Sequence, residues 1–204
     1  MFILFGPAGS GKSLQGQRLA EKYGWRWLSV GQLLRDQSNP TLDKAMKEGD
    51  LVDDNFVVNM MHDAMKAAEY AEQNAILDGY PRDVWQAEWI VKHGDLENID
   101  GAIILNVPKE ELWKRLEARG RADDKKDAIE KRWGIFEQTI SAMREIFEKE
   151  GLKFEEVDGA GKIEQITERI EEVLAKWVQY NLWMRKKFLQ CARAVRLWPR
   201  FLQI

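Results

Sequence analysis

The sequence predicts an α/β chain: a P-loop three-layer fold with a central parallel sheet, a helical insert and a short charged one. Three observations carry this. Gly6-Pro7-Ala8-Gly9-Ser10-Gly11-Lys12-Ser13 has the spacing G-x-x-x-x-G-K-S of a phosphate-binding loop and directly follows the apolar run Phe2-Ile3-Leu4-Phe5. Short apolar runs then alternate with longer amphipathic stretches, as strands do with crossover helices. The residues of chemical interest fall at the ends of those runs, where parallel sheets gather their ligands.

The first run reads as a buried strand that delivers the loop. The loop's glycines let successive backbone N–H groups converge on phosphate oxygens. The helical pattern from Leu14 to Tyr23 points its positive end at the same anion. Lys12 then reaches the β- and γ-phosphates, and Ser13 offers a hydroxyl to Mg²⁺, so a nucleoside triphosphate is the expected ligand. Residues 30–71 break the alternation. They form a run of helices with turns at Ser38-Asn39-Pro40 and Gly49-Asp50, an insert over the ligand-binding edge.

Ala75-Ile76-Leu77 is the next strand and leads into Asp78-Gly79-Tyr80-Pro81-Arg82. A strand-end carboxylate can hold Mg²⁺ through water, Gly-x-Pro shapes a tight turn, and Arg82 presents a fork to a second phosphate. Ala102 to Val107, before Pro108, is a further strand. Residues 119–127, nearly all charged, lie between two helices and form the second insert. Leu152 to Val157 is the last strand, with Gly159 to Gly161 at its end.

Composition fits a globular enzyme: 204 residues, 45% hydrophobic and 32% charged. A single cysteine, Cys191, forms no disulfide within the chain, supplies no zinc set and suits a reducing compartment. No leader-like or membrane-length segment is evident, so a cytoplasmic location is expected. The net charge of −3 is uneven. Residues 176–204 carry seven bases and no acid, leaving the body at −10. In that tail Trp177, Tyr180, Met184, Phe188, Cys191, Val195 and Trp198 make one apolar stripe, the pattern of a basic amphipathic helix. It can pack on the body, on a partner or on a membrane surface. His62 and His93 stand apart from any metal-like spacing and read as helix-surface or helix-end residues.

The phosphate loop, Leu77-Asp78-Gly79-Tyr80-Pro81-Arg82 followed by Asp83-Val84-Trp85-Gln86, and the Arg-rich segment together resemble the nucleoside monophosphate kinases, most closely the adenylate kinase family in its short-lid form. Leu28-Ser29-Val30-Gly31 with Arg35, Gly49-Asp50-Leu51-Val52, Arg115 with Arg119, Arg121-Ala122-Asp123-Asp124, Arg132 and Val157-Asp158-Gly159 extend the likeness from Met1 to about Leu174. The resemblance implies a kinase domain over 1–175, with a monophosphate-binding insert at about 30–60, a lid at about 119–127, and 176–204 as an extension. It implies Mg-dependent transfer from ATP to AMP by a cytoplasmic monomer, with no nucleic-acid partner.

By the same resemblance Gly9, Ser10, Gly11, Lys12, Ser13 and Leu14 wrap the ATP phosphates. Arg115 packs on the adenine, Arg119 reaches the phosphates, and backbone near Gly161 completes that pocket. Arg35 and Arg82 grip the AMP phosphate. Gln86 reads the AMP base, with Val30, Asp50, Leu51, Val52, Gly79, Tyr80 and Pro81 around it. Arg121 and Arg132 clamp the transferring group. Mg²⁺ is held mainly by phosphates and water, with Ser13 and Asp78, while Asp123 and Asp124 help order its shell.

Three positions depart from the family pattern. Val30 replaces a threonine, Gln32 an aspartate, and Leu14 a threonine. Val30 raises the alternative of a pyrimidine monophosphate acceptor, UMP or CMP. Together the three raise that of a catalytically weak ATP-binding scaffold working through its basic tail.

Overall fold

The computed structural model describes residues 1–37, 39–48, 52–120 and 124–177. The tail beyond Trp177 and positions 49–51 and 121–123 therefore lie outside the description. Five strands, β1 (Phe2–Phe5), β2 (Arg26–Ser29), β3 (Ala75–Asp78), β4 (Gly101–Asn106) and β5 (Phe154–Asp158), form one parallel sheet in the order β2-β3-β1-β4-β5. The chain moves to one side of β1 for β2 and β3 and to the other for β4 and β5. The phosphate loop thus sits where the strand order reverses, the usual ligand crevice of such sheets.

The helices are α1 (Lys12–Tyr23), α2 (Val30–Asp36), α3 (Pro40–Glu48), α4 (Asp54–Tyr70), α5 (Val84–Lys92), α6 (Lys109–Arg119) and α7 (Lys126–Lys149), with α8 over 163–177 and a 3-10 turn at Asp95–Asn98. The alternation of strand side chains sorts them into two layers. Ile3, Phe5, Leu77, Ala102 and Ile104 face one core, shared with Leu34, Val58 and Met61 of the insert and Met143 and Phe147 of α7. Phe2, Leu4, Ile76, Ile103 and Leu105 face the other, shared with Leu19 and Ala20 of α1 and Ile166, Ile170 and Val173 of α8. Trp177 closes that second layer, its ring lying where a Cβ on Gly101 would stand at 2.6 Å. A third, smaller cluster joins Leu112 and Leu116 of α6 to Ile129 and Trp133 of α7, directly beneath the phosphate loop.

The strand expected at Ala102 to Val107 begins one residue earlier and ends at Asn106, and that expected at Leu152 to Val157 covers Phe154–Asp158. The strand Arg26–Ser29 adds to those read from the sequence. Helix α2 ends at Asp36 and α3 starts at Pro40, the last residue of the first expected turn. Helix starts follow local chemistry: Asp53 caps α4 by accepting from Phe56 N–H, and Asp83 caps α5 by accepting from Gln86 N–H. Each such cap contributes about 1 kcal/mol.

Candidate active site

The phosphate loop leaves β1 at Gly6 and runs into α1. Gly9 takes φ +89°, and a Cβ there would lie 2.8 Å from the Leu112 carbonyl oxygen, so the loop rests on α6 only as glycine. Its carbonyls are held by donors. Pro7 O accepts from Ser10 N–H at 3.1 Å and from Lys12 Nζ at 3.3 Å. Ala8 O accepts from Trp133 Nε1 at 2.9 Å, and Ser10 O from Arg115 Nη1 at 3.2 Å. Arg115 also donates to Gly159 O at 3.0 Å and to Glu111, tying the loop to the end of β5 two residues before Gly161.

Lys12 is half-buried, and burial pushes its ammonium down to about 8. Asp78 opposes that shift, while Arg82, Arg119 and Arg132 add to it. Asp78, the last residue of β3, is buried and accepts from Trp27 Nε1 at 3.2 Å. The following turn carries a cis Tyr80–Pro81 bond, and Arg82 Nε donates to Gly79 O at 3.0 Å, which holds the guanidinium over the strand ends. A Cβ on Gly31 would lie 3.5 Å from Arg35 Nη1 and 3.8 Å from Arg82 Nη2. One on Gly79 would lie 3.6 Å from Arg82 Nη2 and 3.9 Å from Lys12 Cε. Arg35, Arg82 and Lys12 therefore stand in a row along one edge of the sheet. Burial lowers the Arg82 pKa; Asp78 acts against this, and Arg132 and Arg35 lower it further.

Two of the expected site residues are engaged by other side chains in this structure. Asp124, expected near Mg²⁺, is 4% exposed and forms a fork-to-fork pair with Arg119, with Nε to Oδ2 at 2.8 Å and Nη2 on Oδ1. Arg132 Nη1 lies 4.0 Å from the same carboxylate. Gln86, expected to read a base, is 1% exposed with both ends of its amide engaged. Its Oε1 accepts from Arg82 N–H at 2.9 Å, and its Nε2 donates to Asp54 Oδ1 at 2.7 Å. Beside it burial, helped by the nearby Asp54, raises the Asp83 carboxyl.

Val30, Val52, Tyr80 and Pro81 are all buried in this region, and Val30 and Val52 belong to one core cluster. Ser10 is buried in the loop, Gly11 and Ser13 are half-buried, and Leu14 is exposed. The expected contributors Asp50, Leu51, Arg121 and Asp123 lie outside the described residues.

Sequence reasoning missed Trp27 and Trp133, whose indoles bond to Asp78 and to the loop, and Asp54. Each makes its bond across a long stretch of chain, which no local spacing signals. It also understated His62, whose Nδ1 lies 2.9 Å from both oxygens of the buried Asp95 while its ring meets the edge of Trp89. His62 is thus a tie between α4 and the core, more than a helix-surface residue.

A phosphate loop at the switch point of a parallel sheet, flanked by a helical insert that lends Arg35 beside the Arg82 turn, defines a P-loop kinase fold of the kind that handles small phosphorylated ligands. The family model described as "Adenylate kinase" matches residues 4–152. A curated protein named adenylate kinase from Synechococcus sp. (strain WH7803) is 35% identical over 181 residues, 85% of this chain and 97% of that protein. Its namesake from Xanthomonas euvesicatoria pv. vesicatoria (strain 85-10) is 34% identical over 188 residues, covering 85% and 98%. A third, from Bacteroides fragilis (strain YCH46), is 34% identical over 182 residues, covering 82% and 94%. The chain belongs to the adenylate kinase family.

Among the described residues no helix is long and apolar enough to cross a membrane, and no group of three or more His, Cys, Asp or Glu side chains is placed to hold a metal.

Proposed function

We propose that the chain reversibly transfers the γ-phosphoryl group of Mg·ATP to AMP, giving two ADP. The row of Lys12, Arg82 and Arg35 between the phosphate loop and the insert carries this reading. One cation at the loop and two beside it suit two phosphorylated ligands meeting end to end. An oxygen of the AMP phosphate attacks the γ-phosphorus, the bond to the β,γ-bridging oxygen breaks, and that oxygen leaves as part of ADP. The attacking oxygen is already ionised, so the site needs no general base; positioning and charge stabilisation supply the catalysis.

Lys12 and the N–H groups from Gly9 to Leu14 hold the donor phosphates, with Arg115 and the backbone near Gly161 beside the adenine. Arg35 and Arg82 hold the acceptor phosphate, and Arg119, Arg121 and Arg132 cover the group in flight. Gln86 turns to the acceptor base by giving up Asp54, with the backbone of Asp50 to Val52 and Gly79 to Pro81 lining the pocket. Ser13 and Asp78 fit an Mg²⁺ ion held mostly by phosphates and water, since one hydroxyl and one strand-end carboxylate leave most of its shell to other ligands. When bound, that ion neutralises charge on the phosphates. Asp123 and Asp124 help order that ion's shell.

The insert at about 30–60 and the lid at about 119–127 close over the bound pair and exclude water. The protein works as a cytoplasmic monomer without a nucleic-acid partner, and its basic tail over 176–204 packs on the body, on a partner or on a membrane surface. A coupled assay for ADP with Mg·ATP and each of AMP, UMP, CMP and GMP tests this. Turnover with AMP alone is expected. A pyrimidine preference would favour the alternative that Val30 raises, and no turnover despite ATP binding would favour the scaffold.

A further inference from the structure

We propose that Trp133 is a positioning residue that aims the phosphate loop from outside the site. Across a trans peptide the C=O and the following N–H point in opposite directions. The Ala8–Gly9 bond is trans, since Tyr80–Pro81 is the cis bond among the described residues. Trp133 Nε1–H bonds to Ala8 O at 2.9 Å, so the indole that holds this carbonyl also turns the Gly9 N–H the other way, away from α7. Arg115 does the same two units on, where its bond to Ser10 O directs the Gly11 N–H. Both donors lie on the α6–α7 side. A bound triphosphate thus meets N–H groups already oriented, which lowers the ordering needed on binding.

The indole is well fixed for this task. Trp133 is buried among Leu112, Leu116 and Ile129, and its ring meets that of Trp113 edge-on at 5.0 Å. The cluster asks for apolar volume, most of which a phenylalanine supplies. The N–H is the part of the side chain that packing does not require. Its neighbour Arg132 reaches the carboxylate of Asp124, so one turn of α7 bears on both the loop and the lid-side cations.

This assignment rests on the loop taking ATP, and its test needs no acceptor. Trp133→Phe keeps an aromatic ring in the cluster and removes the donor. Calorimetric titration with ATP should show affinity weakened roughly five- to tenfold, the worth of one neutral hydrogen bond. The KM for AMP should stay within about twofold, since the acceptor side keeps its contacts. Leu112→Ala loosens the same cluster but leaves the indole N–H, and its ATP affinity should fall less. Unchanged ATP affinity in Trp133→Phe, or an equal loss in Leu112→Ala, would overturn the proposal. Should Trp133→Phe fail to fold, ¹⁵N-labelled wild-type protein decides: the Trp133 indole resonance should shift with ATP and not with AMP, and an ATP-silent resonance would count against it. Wild-type protein that binds ATP yet turns over no monophosphate would refute the functional reading while leaving the Trp133 comparison intact.

Discussion

At Lys12 the chemistry of the loop and its response to pH meet. The ammonium must be charged to serve a phosphate, yet burial among arginines brings it down to about 8 in the free protein. Bound phosphate oxygens reverse that pressure. ATP binding at about pH 9 should therefore take up a proton, seen calorimetrically as a dependence of the heat on buffer ionisation; a buffer-independent heat would contradict it. The free protein follows the same logic. An unfolded lysine titrates near about 10.4, above the folded value, so folding releases a proton between the two. This group's contribution to stability consequently rises as pH climbs from about 8 to about 10.4, and urea melts across that window should show the increase. The loop lysine and the Asp78–Arg82 turn were legible in the sequence because their chemistry is contiguous in the chain. The engagement of Gln86 by Asp54 and of Arg119 by Asp124 was not, since a carboxylate has no signature of which cation or amide it will meet.

Elements tell a similar story. β1, β3 and β4 were readable as short apolar runs because strands buried in a parallel sheet show little polar alternation; β5, at one edge and half polar, was read from Leu152 to Val157 before Asp158-Gly159. β2 was not: it lies at the sheet edge and starts with the exposed Arg26 and the half-buried Trp27, whose indole is spent on Asp78. The loop itself depends on helix α6 as a floor. Gly9→Ala combines a left-handed φ with a 2.8 Å approach to backbone, which has no flexible end to give way. We expect this substitution to lower ATP affinity and kcat/KM by at least about tenfold, since even 1–3 kcal/mol of backbone strain would distort the loop. Near-UV circular dichroism should stay close to wild type, because the change is confined to one turn. Among the described residues α7 is the longest element at 24 residues, and its N-terminal turns bring Arg132 and Trp133 to the site from a distance in sequence of 125 residues between Trp133 and Ala8. Helical periodicity marks such a helix as amphipathic but does not reveal which neighbour its buried face will serve.

For the molecule as a whole, the cations set the problem. Lys12, Arg35, Arg82, Arg119 and Arg132 come from four elements and the phosphate-binding edge; beyond the effect of burial, Arg82, Arg119 and Arg132 lower the proton affinity of Lys12, and Arg132 and Arg35 lower that of Arg82. Phosphates relieve that strain, so a bisubstrate analogue should draw the insert and the lid inward. Small-angle scattering should record a smaller radius of gyration with the analogue than without, and unchanged dimensions would argue against closure. The Arg119–Asp124 pair adds a condition. A ligand phosphate that claims this guanidinium must displace a carboxylate already seated on it, making the step a trade of one anion for another inside the protein. Part of the countercharge that bulk salt would otherwise provide is thus carried by the chain, and ATP binding becomes less sensitive to ionic strength than a bare cluster of five cations would be.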